Sequence, residues 1–150
     1  MTTHTYAARL TWSGSTGGGV RAYDRAHRVT APPARTALTL SADPAFRGDP
    51  DLLNPEQLLV AAAASCQLLS FLGAAARAGV DVVGYEDRAE GYMDLTDTPA
   101  RISRILLTPT ITTPADPDEV TRLVQVAHEH CYIANSLSSH VQVQPKVVTP

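Results

Sequence analysis

The stretch NPEQLLVAAAASCQLLSFLGAAARAG, Asn54 to Gly79, carries 19 consecutive uncharged residues, Leu58 to Ala76. Asn54 is a good N-cap, Pro55 suits the first helical position because its missing N–H would be unpaired anyway, and Glu56 lies where the helix dipole favours a negative charge. Alanine and leucine carry the helix to about Ala78, and Gly79 supplies the usual C-terminal stop. The run approaches the ~20 residues that span a bilayer. Seven of its residues are alanine, however, and Ser65, Gln67, Ser70 and Gly73 interrupt the rest, so the reading is a central helix buried in protein, with no membrane partner. Being apolar on almost every face, it is expected to be wrapped by protein.

Upstream of this helix, Tyr6, Ala8, Leu10 and Trp12 alternate with other residues, SGSTGGG marks a turn, and VRAYDRAHRVTA resumes an extended pattern. PPA breaks that pattern, ALTL reads as a further strand, and the loop SADPAFRGDPDLL leads into Asn54. Downstream, Val80 to Pro114 has β-branched clusters punctuated by glycine and proline, a meander of about three strands. Asp116 and Pro117 open a second helix, in which Val120, Leu123, Val124, Ala127 and Cys131 form the buried stripe. The chain ends on HVQVQPKVV, an alternating strand that Pro145 assigns to a sheet edge. The expected architecture is α+β, residues 1–150 as a single domain, with helices packed on sheet.

At 150 residues, one domain buries roughly two thirds of the surface its unfolded chain exposes, enough for a core without staples. Hydrophobic residues make up 44% and charged residues 18%, with a net charge of −3, which argues against disorder and against a nucleic-acid partner. The N-terminal MTTHTYAARLTWSG has neither the basic region nor the apolar run of a secretory signal, giving a cytoplasmic expectation and free thiols rather than a structural disulfide.

The chemistry centres on two cysteines. In HEHCYIANSL, His128 and Cys131 are three residues apart, but no CxxC or HxxxH spacing supports zinc, so no metal is expected and the histidines read as an exposed helix face. Cys66 and Cys131, inward on packed helices, either meet as a redox pair or fill the core as small hydrophobes. A reactive thiol requires a nearby cation, because apolar burial raises its pKa. Arg47 in the loop before the helix and Arg21 and Arg25 after the glycine turn are the candidates, and Glu56 is placed to orient a guanidinium.

NPEQLLVAAAASC followed some 65 positions later by HCYIANS resembles the OsmC/Ohr family of thiol-dependent hydroperoxide reductases. The resemblance covers most of the chain. It implies an OsmC-like fold, antiparallel sheets packed on the central helix and a second helix, in an intertwined homodimer with two active sites at the interface. It makes Cys66 the peroxidatic and Cys131 the resolving cysteine, pairs Glu56 with an arginine, and requires no cofactor. The loop before Asn-Pro-Glu matches one branch of the family and favours Arg47; the glycine-turn region, with Arg21 or Arg25, matches another. Tyr132 stands where many members have proline. The implied substrate is an organic hydroperoxide taken into an apolar pocket near Phe46, Leu68 or Phe71, and the implied reductant a dithiol of lipoyl type. The alternative function is a non-catalytic module of the same fold that binds an apolar small molecule.

Overall fold

Asn54 and Gln57 exchange hydrogen bonds at the start of the long helix: the Asn54 amide donates to Oε1 of Gln57 at 3.0 Å, and the Gln57 amide donates to Oδ1 of Asn54 at 2.9 Å. This reciprocal box satisfies two of the N–H groups that every helix start leaves orphaned. The helix, α1, runs Pro55–Arg77. At its other end Val80 donates to the carbonyl of Ala75 and Gly79 to that of Ala76, a closing pair that needs the left-handed backbone Gly79 adopts, with φ 72°.

The computed structural model describes residues 1–150, which form two compact units, 1–58 and 59–150. In the first, β1 (Arg9–Thr11), β2 (His27–Thr30) and β3 (Ala37–Leu40) make an antiparallel sheet in that order. A short 3-10 turn, Pro44–Phe46, follows, capped by the Asp43 carboxylate on the amide of Ala45. The chain then folds back so tightly that a side chain on Gly48 would collide with the Ala42 carbonyl.

The second unit holds β4 (Gly84–Asp87), β5 (Glu90–Met93), β6 (Ile102–Leu107), β7 (Pro109–Thr112), β8 (His140–Val143) and β9 (Lys146–Val148). These form two three-stranded sheets, β4-β7-β9 and β5-β6-β8, each antiparallel on one side of its middle strand and parallel on the other. The expected meander of about three strands holds four, β4 to β7, in two pairs broken at Arg88-Ala89 and at Thr108, and the expected C-terminal strand is likewise interrupted once, at Gln144-Pro145. Proline supplies no N–H to a ladder, so Pro145 marks the break between two edge strands, as its chemistry requires. At the bend Asp87 accepts the Thr108 amide at Oδ1, 2.8 Å, while its Oδ2 is buried without a partner; burial pushes this carboxyl above the ordinary range.

α2 (Pro117–Glu129) opens as expected, with the Asp116 carboxylate accepting from the amides of Asp118 and Glu119. Its buried residues are Val120, Leu123, Val124 and Ala127. They pack with Phe71, Ala74 and Ala75 of α1 and Ile111 of β7 into the larger core cluster, and a smaller one joins Ala63 to Ile105, Leu107 and Val141.

One expectation is met only in part and another needs correction. Within one chain α1 is covered along one stripe, Ala63, Gln67, Phe71, Ala74 and Ala75, while Leu69 and Leu72 are 66% and 38% exposed. Cys131 is buried, but not as part of α2. The helix stops at Glu129, and Cys131 takes extended backbone angles as the residue before a third helix, α3 (Tyr132–Ser136). Asn135 makes this turn, donating from Nδ2 to the carbonyls of Glu129 and Cys131, both at 3.0 Å.

Candidate active site

Cys66 sits midway along α1, half-buried, and Cys131 lies beside it. Burial pushes the Cys131 thiol up. The amides of Ala134 and Ile133 pull the other way without forming a cap hydrogen bond, and the neighbouring Cys66 pushes it up further. Cys131 is therefore the thiol held toward its protonated form, beside Cys66. Both are free thiols. The structure thus brings together the two cysteines that the sequence left as either a pair or separate core residues.

The position of Cys66 is fixed by its neighbour. Gln67 is fully buried, and its Nε2 donates to the carbonyl of Val124 on α2 at 3.1 Å, clamping the two helices at the level of the thiols. Its Oε1 has no partner. A glutamine inside an alanine-rich run is the signal that could have located this clamp, because a buried amide must find a backbone partner.

A groove of about 390 Å³ opens at Cys66. Its floor is the α1 stripe Cys66, Leu69, Ser70, Gly73 and Arg77, and its other wall includes Val126, His130 and Tyr132. Phe71 is in the core rather than here, and Leu69, not Leu68, lines the groove. The histidines make no metal centre, since no three His, Cys, Asp or Glu side chains cluster anywhere in the chain. His130 turns its Nδ1 onto the Val126 carbonyl at 2.8 Å, while the Nδ1 of His128 is buried and unpaired.

The remaining site residues belong to the first unit. There Arg25 and Glu56 line one cavity of about 420 Å³ together with Trp12, Tyr23 and Phe46. Arg25 stacks over Tyr23, 4.1 Å from the ring centroid, and donates to the carbonyls of Tyr23 and Val20 at 3.0 and 2.7 Å. Arg47 is exposed in a left-handed conformation, φ 66°, and Arg21 is exposed; neither lines that cavity. Glu56 forms no ion pair, the one salt bridge in the chain being Arg122 with Glu119. What the arrangement can do chemically rests on the thiols: one sulfur open to a groove, and a second that is buried beside the first with its pKa pushed up.

Residues 48–146 match the family described as OsmC-like protein. No curated protein matches the sequence. Among solved structures, an OsmC-like protein of unknown function from Vibrio cholerae is similar with a TM-score of 0.84 and 25% identity, covering 97% of this chain and 100% of that one. An organic hydroperoxide resistance protein from Elizabethkingia anophelis gives 0.74 at 18% identity, with 99% of each chain covered. One from Legionella pneumophila gives 0.70 at 20% identity, with 98% of each covered.

Proposed function

The chain belongs to the OsmC-like family, and from that premise we propose that it is a thiol peroxidase that reduces organic hydroperoxides. The observation that carries the reading is the pairing of the two thiols, a buried Cys131 beside a Cys66 that lines a groove. A buried thiol that stays protonated is a poor nucleophile, and the sulfur it faces, open to a groove, is the one placed to attack. The Cys66 thiolate attacks the distal oxygen of the hydroperoxide. The O–O bond breaks, OH goes to sulfur as a sulfenic acid, and the alkoxide leaves with the electron pair and takes a proton to become the alcohol. Cys131 then condenses with the sulfenic acid to form a disulfide and release water. A dithiol, of lipoyl type by family resemblance, returns both cysteines to thiols by two exchanges.

We assign the arginine and Glu56 of the first unit to the same reaction, with Arg25, Arg47 and Arg21 as the candidates. Arg25 is supported by sharing a cavity wall with Glu56. Arg47 is supported by its loop before Asn-Pro-Glu. We further propose a homodimer, because Leu69 and Leu72 on α1 and Leu10 and Leu38 on the first sheet present apolar surface that a second copy would cover.

One equivalent of cumene hydroperoxide tests the reading. Mass analysis is expected to show the loss of two hydrogens mapped to Cys66 and Cys131, abolished in Cys66→Ser and replaced by a trappable sulfenate in Cys131→Ser. Two unchanged thiols after exposure, with no peroxide consumed in the presence of any dithiol, would leave the second reading, a binding module. The aromatic walls of the first-unit cavity favour that reading, with an apolar small molecule as its ligand.

A further inference from the structure

The first sheet has two faces of opposite character, and its register says which residues share each. Leu10, Val29 and Leu38 stand directly opposite one another across β1, β2 and β3, and Thr11, Arg28 and Thr39 form the next row. Successive side chains on a strand point to opposite faces. The second row therefore lies on the side away from Leu10 and Leu38, clear of the surface assigned to a second copy. Arg9 and Thr30, two residues further along their strands, share that side. No strand of this sheet carries a carboxylate, and neither arginine is in an ion pair. Arg9 and Arg28 are diagonal neighbours, a spacing of about 7–8 Å, so their like charges stand unopposed. Arg28 belongs to the middle strand, where protection of a sheet edge does not account for it.

A pocket of about 310 Å³ opens beside Arg28. Its donors are the guanidinium and the hydroxyls of Thr11, Ser13 and Thr39, and the rings of Trp12 and His27 complete the walls. No carboxylate lines it, and Asp24, close by in sequence, accepts the Ala26 amide at Oδ1. Both rings are held in place: the Trp12 Nε1 donates to the Asp24 carbonyl and the His27 Nδ1 to the Arg25 carbonyl, each at 2.8 Å. A guanidinium fork among several hydroxyls matches an oxyanion with several acceptor oxygens, and fixed aromatic walls suit a flat apolar body attached to it. Threonines alone would be ordinary strand surface. An unpaired guanidinium between two of them, facing a walled pocket, is not.

We propose that this pocket binds a soluble phosphate monoester with an aromatic body, held by Arg28 and the hydroxyls of Thr11, Ser13 and Thr39, with Arg9 adding to the positive field. The site stands apart from the peroxidase reading and does not depend on it. Trp12 is the chain's single tryptophan, so intrinsic fluorescence reports on the pocket directly.

Titration of the full-length protein with phenyl phosphate is expected to change that fluorescence saturably. Arg28→Gln should weaken binding by about 10-fold or more, the loss that follows from removing a charge-assisted donor, and Arg28→Lys should recover part of it. Thr39→Val, which keeps the branched shape, should weaken it about 3-fold. Phenol, without the phosphate, should bind at least about 10-fold more weakly than phenyl phosphate. No saturable response, equal binding of phenol, or a response that Arg28→Gln does not move overturns the proposal. Trp12 and His27 also wall the cavity of Arg25 and Glu56, so Phe46→Ala, which alters that cavity alone, is the control. A response lost in Phe46→Ala and kept in Arg28→Gln belongs to the other cavity and overturns the proposal. Phosphatidylcholine vesicles containing phosphatidic acid separate a free ligand from a lipid headgroup. An Arg28-dependent response to the vesicles with none to phenyl phosphate overturns the soluble ligand.

Discussion

The two units of the chain differ sharply in what they bury. Every residue of both core clusters lies in the 59–150 unit, where Phe71, Ile105, Leu107, Ile111 and Val120 are fully enclosed. In the 1–58 unit the buried residues are Leu40, Ser41 and Asn54, while Leu10 and Tyr6 are 61% and 91% exposed. One unit is organised around apolar packing; the other is a thin sheet and loops around an aromatic and charged cavity. Stability should therefore be concentrated where the thiols are, and the first sheet should depend for its apolar surface on whatever covers it.

The largest effect should come from Phe71→Ala, which empties the centre of the main cluster and is expected to cost about 3–5 kcal/mol in chemical denaturation. Leu10→Ala should cost under about 0.5 kcal/mol if its surface stays in water. A larger loss that grows with protein concentration would instead show a second copy covering that sheet, sharpening the contrast between the units into a statement about assembly.

Within the second unit the two thiols form a smaller contrast of the same kind. Cys131 is 1% exposed and its pKa is pushed up, so its alkylation by iodoacetamide should run at least about 10-fold slower than that of Cys66 at pH 8, and should accelerate only on further alkalinisation. Equal rates would erase the difference in role between them.

Asn54→Ala removes one arm of the helix-start box and should cost about 1 kcal/mol, read as a lower Tm. Asp87→Asn should have the smallest effect, a rise in Tm of up to about 2 °C at pH 7. Because burial raises the folded-state pKa of Asp87 above its unfolded value, the protonated carboxyl favours the fold. That stability is fully present below the unfolded pKa and is lost as pH rises through the folded one. The advantage of the asparagine variant should accordingly vanish as the pH is lowered toward 3, which a Tm series against pH would reveal.

Local chemistry made some of this legible in the sequence. Asn54-Pro55, Asp116-Pro117 and Gly79 act within one turn of themselves, and the structure uses all of them as expected. The stripe on α2 predicted an inward Cys131 although the helix ends at Glu129, because the turn held by Asn135 keeps the sulfur on the buried side. The partner of Asn54 was also within reach, since Asn-x-x-Gln is a box spacing. Contacts made across the fold were not legible. An apolar run looks the same whether one face or all of it is covered, which is why the outward Leu69 and Leu72 escaped notice. The simultaneous break in three strands depends on pairing between segments far apart in sequence.

The reciprocal box at the start of α1 has one more consequence. Gln57 closes the helix end with its own amide side chain, so the neighbouring Glu56 carboxylate is not consumed in holding the backbone and instead lines a cavity. Adjacent positions thus do different things, one holding the helix end and the other facing the cavity. Glu56→Gln should leave the fold intact, and the chain is free to exchange the charge at its site without having to solve its helix again.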